Sequence, residues 1–144
     1  MQISLAEKDD IDGILYLQTQ IYRVSSLPQN SREILSKLID SNYCDVLVAK
    51  NDKGQIVGSA FLFYLPIPAH GKPAAFLEGV VVDEKSRNQG FGTKITQKAL
   101  ELAKEKNAYK ILFTSGFDRE DIHKFYEKQG FKKWGYEFRM DLDK

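Results

Sequence analysis

A chain of 144 residues, 42% hydrophobic and 28% charged, has the size and balance of one globular domain, enough to bury roughly 70% of its unfolded surface in a single core. Its 21 basic and 20 acidic residues leave a formal charge of +1, so no overall field recruits nucleic acid or an anionic membrane, and partners must be chosen by a local site. A single cysteine, Cys44, excludes an intrachain disulfide; with no apolar run near the ~18 residues of a membrane span and no signal-peptide layout at the start, a cytoplasmic protein is expected.

Residues 2–6 read as a first strand, with Asp9 or Asp10 capping a helix whose apolar positions Ile11, Ile14, Leu15, Ile21 and Tyr22 keep helical spacing. After a polar connection, Asn30 and Glu33 are spaced as a capping box, and Ile34, Leu35, Leu38 and Ile39 supply the buried stripe of a second helix. Two strands, 45–50 and 55–65, flank Asn51-Asp52-Lys53-Gly54, a hairpin signal with glycine where a positive φ is needed. The stretch 66–73 breaks the pattern before an apolar strand, 76–82. Both irregular segments, 23–30 with Arg23 and 66–73 with His70, are expected to carry any substrate specificity, because loops tolerate change. A glycine-rich turn then opens an amphipathic helix with Ile95, Ala99, Leu102 and Ala103 on one face. A strand at 109–114, a turn at 115–118, a helix at 120–129 ended by Gly130, and a final strand at 134–142 complete the pattern. No repeat, low-complexity tract or linker marks a second domain, so residues 1–144 are expected to form one.

The turn, Arg87-Asn88-Gln89-Gly90-Phe91-Gly92-Thr93, is where the chemistry concentrates. Gly90 and Gly92 lack a Cβ, so backbone can approach a ligand while the first free N–H groups of the helix point outward, a ready site for a diphosphate. The dinucleotide fingerprint fails because Ile95 stands where its third glycine belongs, and a Walker loop fails because Arg87 stands where its first does.

What remains, Arg-x-x-Gly-x-Gly after a strand, resembles the acetyl-CoA signature of the Gcn5-related N-acetyltransferase (GNAT) family. Leu77-Glu78-Gly79-Val80-Val81-Val82-Asp83 resembles that family's fourth strand, Ile111-Leu112-Phe113-Thr114 its fifth, and 123–131, His-Lys-Phe-Tyr-Glu-Lys-Gln-Gly-Phe, its closing helix and turn. The resemblance, close over 76–131, implies a single-domain α/β acyl-CoA N-acyltransferase fold, a mixed and mostly antiparallel sheet flanked by helices. It implies an enzyme moving the acetyl group of acetyl-CoA, its cosubstrate, directly to a primary amine. By resemblance, Val80, Val81 and Val82 would pair with the pantetheine arm. Gln89, Gly90, Phe91, Gly92 and Thr93 would hold the diphosphate, with Arg87 in a supporting role and Asn88 as a backbone donor in the same cofactor site. Tyr126 would protonate the departing thiolate, and Glu78 would serve as base or substrate-orienting acid. Arg119 stands where relatives commonly carry a cofactor-touching asparagine and could reach a CoA phosphate, while Gly79 replaces a larger, often polar residue.

Each side chain also has a plainer reading. Tyr126 could be a packed aromatic beside Phe125, Glu78 half of a cross-strand salt bridge, His123 a solvent-facing imidazole, and Arg87 a surface cation. Cys44 lacks a neighbouring histidine for an acyl-enzyme route, and two histidines with one cysteine make no metal-ligand spacing, so no metal is expected. The acceptor is expected to be a small molecule resembling an aminoalkylphosphonate or amino sugar, with a protein N-terminus or lysine as the alternative. A non-catalytic CoA-binding sensor or interaction module is the alternative outside enzymes. Neither nucleic acid nor membrane is expected as a partner, and a homodimer is left open.

Overall fold

The computed structural model describes residues 1–21, 24 and 26–143, so Tyr22 and Arg23, assigned above to the first helix and to a specificity loop, lie outside the described residues. The chain divides into two compact units, Met1–Leu112 and Phe113–Lys144. The first holds a five-stranded sheet of β1 (Gln2–Leu5), β2 (Cys44–Lys50), β3 (Ile56–Ile67), β4 (Lys72–Val82) and β5 (Lys110–Leu112), in the order β1-β2-β3-β4-β5. Neighbours run antiparallel except β5, which pairs parallel to β4. Helices α1 (Ile11–Gln18), α2 (Ser31–Asp40) and α3 (Phe91–Glu105) belong to the same unit, and α4 (Glu120–Glu127) to the second. This is the mixed, mostly antiparallel α/β fold that the sequence implies.

Side-chain alternation sorts the helices onto the two faces of the sheet. Cys44, Val46, Val48 and Phe61 pack with Ile11, Ile14 and Leu35, which puts α1 and α2 on one face. On the other face lies α3, whose Ile95, Ala99, Leu102 and Ala103 are buried as their spacing requires. Gly58 on β3 lets it approach closely, because a Cβ there would stand 2.8 Å from Ile95 Cδ1 and 3.3 Å from Ala49 Cβ. Such a glycine inside a strand marks close packing from its sequence position alone.

Several local expectations give way to the structure. Asn30 precedes α2 at φ −86° and ψ 4°, not in the extended conformation that aims a capping side chain at the first free amides, and its side chain makes no cap. Glu33 bonds Lys37 instead, at 2.8 Å. Asp10 does not cap α1 either; its carboxylate accepts from Glu7 N at 2.8 Å and faces Lys50 at 3.1 Å. The segment 66–73 is a hairpin end, with Pro66 opposite Pro73 and a turn at Pro68–His70 closed by Gly71 at φ +61°. Prolines are tolerated there because the ladder is about to stop. His70 stacks on Tyr109, ring centroids 3.9 Å apart.

In the second unit α4 ends with Gly130 at φ +100°, and Phe131 N donates to Tyr126 O at 3.2 Å, the six-to-one closure of a glycine C-cap. The strand expected at 134–142 does not form; among the described residues 131–143 carry no regular structure. Alternating polarity selects a face for a strand but supplies no partner for its backbone. No helix among the described residues is long and apolar enough to cross a membrane.

Candidate active site

The site is built on an irregularity in β4. Phe61 pairs with Glu78 and Ser59 with Val81, so Ala60 faces two residues, Gly79 and Val80, across the ladder. This is a β-bulge on β4, and its first residue, Gly79, sits at φ +62°. A Cβ at Gly79 would meet Phe61 Cδ2 at 3.0 Å, so both backbone conformation and neighbour favour glycine here.

β5 pairs with β4 only over Ala74, Ala75 and Phe76. Beyond Phe76, the edge of β4 that β5 occupied has no ladder partner among the described residues. Its backbone groups over Val80, Val81 and Val82 can therefore serve an extended ligand lying alongside as another strand would. Val81 is buried, whereas Val80 and Val82 are half-buried.

From this edge the chain enters the glycine loop. Asp83 accepts from Lys85 N at 3.3 Å and from Gln20 Nε2 at 2.8 Å, while Gln20 Oε1 accepts from Glu84 N at 3.0 Å. Gln20 thus clamps the loop entry from the end of the α1 segment, a role no local sequence signal announces. Arg87 is exposed and its Nε donates to Val82 O at 3.2 Å, tying the guanidinium to the strand end. Asn88 adopts φ +63°, and Asn88, Gln89 and Gly90 are exposed.

Gly90, at φ +90°, is the N-cap of α3 and makes no side-chain cap. Among the described residues nothing accepts from the N–H groups of Gly90, Phe91, Gly92 and Thr93. They form an outward-facing cradle at the positive end of a helix of 15 residues. Space beside it is open: a Cβ on Gly90 would meet only Met1 Cε, 4.0 Å away. The cradle is firmly held, since Phe91 is buried and Thr96, fully buried, donates its hydroxyl to Gly92 O at 2.9 Å. Thr96 was not among the expected site residues; its offset of four from Gly92 is the signal that finds it. Free amides, an open approach and a free strand edge suit a diphosphate joined to an extended arm.

Glu78 is exposed and lies opposite Phe61, so the cross-strand salt bridge is not made; among the described residues no cation comes within 4.0 Å. Cys44 is buried, and burial first, with the Asp45 charge second, pushes its thiol up to about 12. A thiol so held is protonated at neutral pH and a poor nucleophile. Among the described residues no three His, Cys, Asp or Glu side chains gather as a metal site. A groove of about 410 Å³, lined in part by Tyr43, Tyr64, Pro66, Lys72 and Lys106, lies at the hairpin end of β4, the end away from the glycine loop.

Within the second unit, Tyr126 is 9% exposed, its ring packed against Phe113, Phe125 and Phe131 at centroid distances of 4.2, 4.9 and 5.7 Å. Burial pushes its phenol up to about 12, opposed by the charge of Arg119. The hydroxyl has no hydrogen-bond partner among the described residues, yet it is not one of the sealed-off unpaired polar atoms, Ser115 Oγ and Gln129 Nε2 in this unit. It is thus a protonated donor still open to a partner. His123 Nε2 donates to Gly116 O at 2.8 Å, fastening the turn before α4 to the helix, and Arg119 is the N-cap residue of α4.

Comparison with known proteins agrees with this geometry. The chain is 29% identical over 147 aligned residues to glucosamine 6-phosphate N-acetyltransferase of Trypanosoma brucei brucei, covering 99% of this chain and 96% of that protein. It is 26% identical to a putative phosphinothricin acetyltransferase of Bacillus subtilis, covering 94% and 86%. A putative acetyltransferase from Agrobacterium tumefaciens superposes with a TM-score of 0.89 at 26% identity, over 99% of this chain and 100% of that one. The family model for acetyltransferase (GNAT) proteins matches residues 11–131, a span containing the bulged strand, the amide cradle and Tyr126, and the chain belongs to that family of acyltransferases.

Proposed function

We propose that the whole chain works as one catalytic domain that transfers the acetyl group of acetyl-CoA directly to the primary amine of a small molecule. The observation that carries this reading is the run of free amides from Gly90 to Thr93 at the end of a bulged strand with an open edge. The cosubstrate supplies an acetyl group activated as a thioester. Gln89, Gly90, Phe91, Gly92 and Thr93 would hold its diphosphate, with Asn88 giving backbone, Arg87 and Arg119 adding charge, and Val80 to Val82 aligning the arm. Glu78, exposed, is suited to accept a proton from the substrate ammonium, since only the neutral amine attacks. Tyr126, protonated far above neutral pH, is suited to donate to the thiolate that leaves. Direct transfer is favoured over an acyl-enzyme because Cys44 is buried and its thiol suppressed. Such a lone thiol also suits a reducing compartment, the cytoplasm.

Two relatives are named for acceptors that join an amine to a phosphorus acid, glucosamine 6-phosphate and phosphinothricin, which supports an acceptor of the amino-sugar or aminoalkylphosphonate kind. Thiol release from acetyl-CoA is the test, run with amino sugars, their phosphates, aminoalkylphosphonates and short peptides. Release with the small amines is expected. Release with peptides alone would transfer the reading to protein acetylation, and binding without release would make the chain a sensor.

A further inference from the structure

The groove at the hairpin end of β4 has the dimensions and lining of a ligand site, and the proposed acetyl transfer does not use it. Its volume of about 410 Å³ is that of pockets that take small molecules. Tyr43, Tyr64, Pro66, Ile67 and Pro73 give it an apolar lining, to which Lys72 and Lys106 add two ammonium groups. All of these residues belong to the first unit.

The lining is held in place without a ligand. Tyr64 N donates to Tyr43 O at 2.9 Å, and Tyr43 N donates to Ser41 Oγ at 3.0 Å, which fixes the backbone beneath both rings. Gly71 N donates to Ile67 O at 3.1 Å, and the His70 ring on Tyr109 ties the hairpin tip to the entry of β5. Tyr43 is nonetheless exposed, an aromatic face presented to solvent. A site assembled beforehand spares a ligand much of the ordering cost of binding.

Charge selects the occupant. Among the described residues neither Lys72 nor Lys106 is in an ion pair. Lys106 Nζ stands 5.4 Å from the centroid of the Tyr64 ring, a cation held against an aromatic face. The Tyr64 hydroxyl donates to Asp45 Oδ2 at 2.5 Å. Neither Asp45 nor Glu105, the carboxylates whose charge reaches Tyr64, lines the groove. Cations on an apolar, aromatic lining complement an anion with a flat hydrocarbon body, its charge at the ammonium groups and its ring against tyrosine and proline. The amide cradle is too far away to share such a ligand. Gly90 caps α3 at one end and Lys106 at the other, and 15 helical residues separate them by roughly 22 Å.

We infer that this groove is a second ligand site, remote from the amide cradle, for a small aromatic carboxylate. The inference stands independently of the transfer reaction and its acceptor. The probe is 2-naphthoate, titrated to roughly 10 mM into the unmodified, nitrogen-15-labelled chain, a range suited to a fragment-sized ligand. Amide signals of Tyr43, Tyr64, Ile67, Gly71, Lys72 and Lys106 should shift, and those of Gln89 to Thr93 should stay in place. The same ring without the charge, 2-naphthalenemethanol, should bind roughly tenfold or more weakly. Replacing both cations, Lys72→Gln with Lys106→Gln, should bring naphthoate down to the affinity of the alcohol and leave the alcohol unchanged, with a melting curve to check the fold. Naphthoate affinity that survives the double substitution would overturn the inference. Equal affinity for acid and alcohol on the unmodified chain would do so even if the variant failed to fold. Shifts centred on residues 89–93 would mean an anion held by the cradle, and they would refute the second site, as would shifts centred elsewhere or none at all.

Discussion

Replacing Tyr126 by phenylalanine isolates what its hydroxyl does. The ring's contacts with Phe113, Phe125 and Phe131 remain, and since the hydroxyl has no partner among the described residues, its loss strands no other buried group. Thermal stability should stay level or rise slightly. The catalytic effect follows from the phenol's environment. With its pKa near 12, the group lies well above neutral pH and above an ordinary thiol of about 8.5, so full proton transfer to a thiolate is uphill. Its contribution is then mainly a hydrogen bond to developing charge, worth about 1.5–3 kcal/mol. That corresponds to a fall in kcat of about 10- to 150-fold with acetyl-CoA KM nearly unchanged. Thiol release at saturating acceptor measures kcat, isothermal calorimetry measures acetyl-CoA binding, and a melting curve checks the fold. A kcat within twofold of the parent would refute the role and leave Tyr126 as core packing.

Further substitutions address the cradle and the strand that aims it. Gly90→Val forces a branched residue to φ +90°, costing about 1–3 kcal/mol of backbone strain and crowding the amides, so acetyl-CoA affinity should fall at least tenfold by calorimetry on folded protein. Unchanged affinity would remove the diphosphate from this loop. Gly79→Ala combines a positive φ with a 3.0 Å approach to Phe61 and should lower the unfolding free energy in urea by about 1–3 kcal/mol; a neutral result would mean the bulge relaxes without cost. Alkali should destabilise the protein. Both buried groups have folded pKa values raised to about 12, Tyr126 from 10.0 and Cys44 from 9.0, so stability is whole below the unfolded values and is lost as pH climbs to 12. Tyr126 alone accounts for about 3 kcal/mol of that loss. Urea midpoints of the Cys44→Ala, Tyr126→Phe double variant should depend less on pH between 9 and 12 than those of the parent, and parallel curves would refute burial as the cause.

The sequence disclosed what depends on local periodicity and on glycine. The α3 face of Ile95, Ala99, Leu102 and Ala103, the hairpin at Gly54 and the closure of α4 at Gly130 all follow from patterns spanning a few residues. The loop was legible because a Gly-x-Gly at a strand-to-helix junction is tied to a backbone geometry. What stayed hidden depends on residues far apart. The clamp of Gln20 on Asp83 joins positions 63 apart, and the refusal of Asn30 to cap turns on its own φ and ψ. The bulge at Gly79 exists only in the register between β3 and β4. The segment 134–142 carries strand chemistry, but pairing belongs to whichever edge receives it.

One extra residue in β4 also resets which side chains look which way. Uninterrupted alternation would align Glu78 with Val80 and Val82; the observed register instead places Glu78 opposite Phe61 and Val81 opposite Ser59, so Glu78 and Val81 share a face. The strand carries a half-period phase slip, and everything downstream, the Asp83 turn, the amide cradle and the buried face of α3, is set by it. Point substitutions leave that phase alone. Deleting either Gly79 or Val80 would restore an unbroken ladder and rotate the loop by half a turn about the strand axis. Length within this stretch should therefore be held more tightly than side-chain identity, with the count of residues between Glu78 and Gly90 acting as the setting that keeps the free amides aimed at the open edge.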